Sequence, residues 1–95
     1  MGEHLTRLEC KGWIIRRVSD HLAFALNDKQ ILLITPFCTY LVTNDRLNSR
    51  AGHKRIRRGV LNNEYKSVSD VLTDMRLNPG IGVGYRQIEI RSLYD

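Results

Sequence analysis

Residues 22–35 constrain the fold more than any other stretch. Leu22, Phe24 and Leu26 alternate with Ala23 and Ala25. The polar run Asn27-Asp28-Lys29-Gln30 follows, and apolar character resumes from Ile31 to Thr35. Alternation with a period of two puts the large side chains on one face of a strand. Two such runs joined by a short Asn-Asp turn read as a β-hairpin. A helix from a Ser19 cap to Leu26 is the competing reading. It is short, and it leaves the turn chemistry unexplained.

Strand character recurs on both sides of this hairpin. Trp13 to Val18, WIIRRV, is β-branched and aromatic with apolar residues at both parities, as in a strand covered on one face and partly on the other. Ile81 to Arg91 also reads as strand. Its apolar parity switches near Gly84 to Arg86, which is what a bulge produces. Ser67 to Leu77 is the clearest helix. Ser67 caps it, Asp70 completes a box-like pair, and Val68, Val71, Leu72 and Met75 follow helical spacing before Asn78-Pro79-Gly80. Leu5 to Cys10 fits either a strand or a first helical turn. Pro36 to Thr43 fits either one helix or a turn followed by a strand.

Several strands with a helix late in the chain predict an α+β fold. We expect one domain over residues 1–95, with an antiparallel sheet packed by one or two helices. The expected core comprises Trp13, Ile15, Leu22, Phe24, Leu26, Ile31, Leu33 and Leu41, with Val71, Leu72, Met75, Ile88 and Ile90.

Charge singles out residues 46–58. Arg46, Arg50, Lys54, Arg55, Arg57 and Arg58 lie there with His53 and no carboxylate, a formal charge of +6 against +5 for the whole chain. The remaining residues are nearly neutral, so the basicity is concentrated in one segment. That concentration points to an anionic partner. On a continuous helix, Arg46, Arg50, Lys54 and Arg58 would form a stripe. Gly52 inside it argues instead for helix to about Ala51, loop to Lys54 and strand to Leu61, presenting His53 to Arg58 on a loop and strand edge.

The leading expectation is a small non-enzymatic protein that engages nucleic acid through phosphate contacts. Arg55, Arg57 and Arg58 lead, and Arg46, Arg50, Lys54 and His53 support them. Arg16 and Arg17 would widen the patch if the fold brings them near. The alternative is a protein-interaction module or inhibitor, of a phage or mobile-element type, that docks the same patch on an acidic protein surface. Asp70 and Asp74, with Glu64, form an acidic counterpart that would suit homo-oligomer formation.

Other motifs are weak. Gly80-Ile81-Gly82-Val83-Gly84 follows a helix and leads into a strand, the reverse of the order that cradles phosphate. Arg16 and His21 have the Arg-x-x-x-x-His spacing of an all-helical ribonuclease class, but on a segment that reads as strand. A small ribonuclease using His21 or His53 is therefore the minor enzymatic reading, and no catalytic residue, metal site or cofactor is assigned. Cys10 and Cys38 form no metal-ligand pattern with His4, His21 and His53 and read as reduced thiols. No apolar run reaches membrane-spanning length and no signal-peptide core opens the chain, so a cytoplasmic protein without membrane contact is expected.

Overall fold

The computed structural model describes residues 1–44, 49–77, 80 and 82–95. Its elements are α1 (Gly2–Cys10), β1 (Ile14–Ser19), β2 (Leu22–Leu26), β3 (Ile31–Ile34), β4 (Thr39–Asn44), α2 (Ser49–Leu61), α3 (Val68–Leu77) and β5 (Val83–Ile88), then a 3-10 turn over Ile90–Leu93. The five strands form one antiparallel sheet in chain order, β1-β2-β3-β4-β5. The fold is α+β.

The β2–β3 hairpin lies in the middle, and every residue of both strands is buried. Its two faces differ in size. Leu22, Phe24, Leu26, Ile31 and Leu33 pack with Ile56 and Val60 of α2, Tyr65, and Val71 and Met75 of α3. Ala23, Ala25, Leu32 and Ile34 pack with Leu5 and Leu8 of α1, Trp13 and Ile90. The two alanines give α1 room to approach the sheet. Helices thus cover both faces, with α1 on one side and α2 and α3 on the other.

The turns follow from local chemistry. Asn27 Oδ1 accepts the N–H groups of Lys29 at 3.0 Å and Gln30 at 2.7 Å, which closes the hairpin. α1 ends at Gly12, whose φ of +95° only glycine adopts without strain, while the Trp13 N–H reaches back to the Leu8 carbonyl. Leu5 to Cys10 is thereby part of a helix. Pro36 opens a tight turn in which Thr35 Oγ1 accepts the Phe37 and Cys38 N–H groups, and the chain then enters β4. Ser67 caps α3, and Asp70 Oδ2 accepts the Lys66 and Ser67 N–H groups.

Two local expectations are corrected. Residues 49–61 form one helix, not helix, loop and strand. Gly52 does not break it: Gly52, Ile56, Gly59 and Val60 make up its buried side, and at Gly59 the missing Cβ leaves room for the Tyr65 ring. The expected bulge in β5 is also absent. β4 and β5 pair in unbroken register from Asn44↔Val83 to Thr39↔Ile88. Val83 packs on the α2 side while Ile88, and Ile90 from the 3-10 turn, pack on the α1 side, so both parities are covered without a bulge. The sheet's irregularity lies instead in β1, between Arg17 and Ser19.

Gly59 supplies a test of how α2 is held. A Cβ there would lie 2.3 Å from Tyr65 Cε2, and Tyr65 is buried. Alanine gains about 1 kcal/mol of helix propensity over glycine, but overpacking against a pinned ring costs about 1–3 kcal/mol. Chemical denaturation of Gly59→Ala is expected to show a net loss of stability. A neutral or stabilised variant would show that Tyr65 is free to move aside.

Candidate nucleic-acid interface

Continuity of α2 decides how the basic segment is displayed. A helix turns 100° per residue, so burying Gly52, Ile56, Gly59 and Val60 sends Arg50, Lys54, Arg58 and Leu61 to the opposite side. Those four are exposed, and Arg57 and His53 sit half-buried on the flank. The helix is about 20 Å long at 1.5 Å per residue. Lys54, Arg57, Arg58, Leu61 and Asn62 surround a shallow concavity of about 260 Å³ on its outer side. Arg46 lies outside the described residues.

Arg55 is placed differently from the other cations. It points toward α3, where its Nε and Nη2 donate to Asp74 Oδ2 and Oδ1 at 3.1 and 2.8 Å. The Tyr65 hydroxyl donates to the same Asp74 Oδ2 at 2.8 Å. Asp74 holds the Arg55 guanidinium above its ordinary pKa. Burial, followed by the bond to Asp74, pushes the Tyr65 phenol well above its own. Arg55 therefore fastens α2 to α3. Asp70 caps α3, so both acids of that helix are already engaged within the fold.

By contrast, Arg50, Lys54, Arg57 and Arg58 form no ion pair with any carboxylate among the described residues. Arg57 also lines a neighbouring cleft of about 620 Å³ with Lys11, Lys29, Asp28 and the half-exposed Ile14. Lys11 and Lys29 belong to the α1–β1 and β2–β3 turns. They join the basic face only through folding, and no local sequence signal marks them. Arg16 and Arg17 are exposed on the edge strand β1 but point to opposite faces. Arg16 is in register with Phe24 and shares the α2 side, whereas Arg17 is in register with Ala23 and faces the α1 side.

The two histidines of the minor enzymatic reading lie in different elements, His21 in the β1–β2 turn and His53 in α2. His21 lies in the β1–β2 turn, its backbone N–H on Ser19 Oγ, so Arg16 and His21 do not share a helix. Burial pushes the His53 imidazole below its usual pKa, and the Arg57 charge pushes it further the same way. Among the described residues, no group of three or more His, Cys, Asp or Glu side chains could hold a metal ion, and no helix is long and apolar enough to cross a membrane.

No protein family, curated protein or solved structure matches the chain.

Two outcomes follow from this geometry. Removing the Tyr65 hydroxyl in Tyr65→Phe takes one donor from a mostly buried carboxylate and is expected to cost about 1–2 kcal/mol in denaturant titration. An unchanged midpoint would mean that Asp74 is fully satisfied without it. His53 should make stability depend on pH. Its folded pKa lies below the unfolded value of about 6.5, so the unfolded chain takes up the proton first as pH falls. Stability is fully present above the unfolded value and is lost toward the folded one. The melting temperature of wild type should fall between about pH 7.5 and 5, and His53→Gln should flatten that fall.

Proposed function

We propose that this protein is a non-enzymatic nucleic-acid-binding protein whose α2 lays a cationic side, free of ion pairs among the described residues, along the phosphate backbone. One observation carries the reading. Four of the helix's cations, Arg50, Lys54, Arg57 and Arg58, have no carboxylate partner among the described residues, although the fold neutralises Arg55 beside them. Phosphate neutralisation with counterion release is the dominant source of affinity for nucleic acids, and three of the four are arginines with bidentate forks. The outer side of α2 bears no aromatic residue, so it has no platform for stacking unpaired bases. That favours the backbone of a duplex, whose major groove is wide enough to admit a helix. Both cysteines are free thiols, which fits activity in the reducing cytoplasm.

Arg50, Lys54, Arg57 and Arg58 make the contacts in this reading, with Lys11 and Lys29 extending them. Arg55 acts by holding α2 in place. A second reading is favoured by Leu61, which is 40% exposed among the cations. An apolar centre ringed by arginines suits the acidic surface of another protein, as an inhibitor would use.

Salt titration separates the two. Binding to arbitrary duplex DNA at about 50 and 200 mM salt should show a log–log slope of roughly −0.9 per phosphate contact. Lys54/Arg57/Arg58→Ala should weaken binding and make the slope shallower by about two to three. Arg55→Ala should lower the melting temperature while changing the slope much less. Absence of duplex binding at low salt would remove the nucleic-acid reading and leave the acidic protein partner.

A further inference from the structure

The two edges of the sheet are unlike. β1 carries adjacent arginines, Arg16 and Arg17, and its register breaks before Ser19. Charges and bulges of this kind discourage the addition of another strand. β5 has neither safeguard to the same degree. Its six residues VGYRQI contain no proline and one charge, and its pairing with β4 is regular throughout. Every second residue of β5 turns its main-chain N–H and C=O outward, and no backbone hydrogen bond among the described residues occupies that rim. Tyr85 stands on it, 41% exposed.

We propose that β5 pairs antiparallel with β5 of a second copy of this chain, with Tyr85 on the two-fold axis, so that two five-stranded sheets merge into one. Self-pairing of a strand brings together residues whose numbers have a constant sum, and the side chains of each pair lie on the same face. Centred on Tyr85, the pairing sets Tyr85 against Tyr85, Val83 against Gln87, and Arg86 against Gly84. The arginine then meets a residue without a side chain. Centring on Arg86 would oppose two guanidinium groups, which is destabilising. Centring on Gly84 would shorten the overlap and leave no side chain on the axis. The ring of Tyr40 already packs edge-on against Tyr85, with centroids 5.8 Å apart and an interplanar angle of 85°. A second copy would extend this into a row of four tyrosines over four strands, and such cross-strand aromatic pairs are stabilising.

The two-fold axis of an antiparallel strand pair is perpendicular to the sheet, so α2 of both copies would face the same way. The dimer rests on β5 alone. Its use, which doubles the unpaired cations offered to one duplex, rests on the nucleic-acid reading above.

Sedimentation equilibrium of the full chain from about 5 to 300 µM should show a mass rising from 11.0 kDa toward twice that value, as mass action requires. Tyr85→Lys should remain monomeric over that range with an unchanged circular dichroism spectrum. In a Cys10→Ser background, oxidised Tyr85→Cys should form a disulfide-linked dimer, because facing Cα atoms lie about 4.5–5.5 Å apart. Gln87→Cys should not, since four residues of strand, roughly 13 Å, would separate the two thiols. A wild-type chain that stays monomeric, together with equal cross-linking at positions 85 and 87, would overturn the dimer even if DNA still binds. A dimer that binds no DNA would instead overturn the nucleic-acid reading and leave the dimer standing. If both hold, Tyr85→Lys should bind DNA more weakly with a shallower salt slope, although its added cation alone would strengthen binding. An unchanged or steeper slope would separate the dimer from DNA binding.

Discussion

Burial of β2 and β3 on both faces sets the layout of every other element. A two-stranded unit this apolar cannot leave either side to water, so each side takes a helical layer. Ala23 and Ala25 set one side close to α1. Leu22, Phe24 and Leu26 set the other against α2 and α3. Because α2 must give Gly52, Ile56, Gly59 and Val60 to that packing, its remaining surface is the cationic one. Core and candidate interface are two sides of the same helix.

Within that layer, the Arg55–Asp74–Tyr65 cluster changes how the charges should be read. Six cations close together in sequence are not equivalent in space. Arg55 has a bidentate carboxylate and a structural task, whereas Arg50, Lys54 and Arg58 face solvent and, like the half-buried Arg57, form no ion pair among the described residues. Tyr65 reaches Asp74 only because Gly59 lets its ring lie against the helix backbone. One glycine thereby controls the clamp that holds the basic helix over the sheet.

Much of the secondary structure was legible in local pattern. The hairpin at Asn27, the Ser67–Asp70 cap and the strand character of Trp13 to Val18 rest on neighbours within a few residues. The helical state of residues 49–61 was not legible. Gly52 costs an isolated helix, and no strong apolar stripe marks the segment, because two of its buried positions are glycines, which add nothing to an apolar pattern. Leu5 and Leu8 do not stand out in the sequence as core for a similar reason. Two leucines in a nine-residue helix carry little periodic signal until two alanines are seen to receive them. The apparent parity switch in β5 reflects cover on both faces: Val83 packs on the α2 side, and Ile88 and Ile90 on the α1 side.

Local pattern is enough to show that the excess charge lies in residues 46–58, that a buried hairpin anchors an antiparallel sheet, and where most turns fall. These depend on composition and short-range chemistry, which the chain carries locally. Which cations are tied into the fold and which are displayed emerges only once the elements pack together. That packing also brought Lys11 and Lys29 beside Arg57 and left β5 with an open, regular edge. Those outcomes depend on which distant groups meet, since a charge is neutralised or exposed by its neighbours in space and not by its neighbours in the chain.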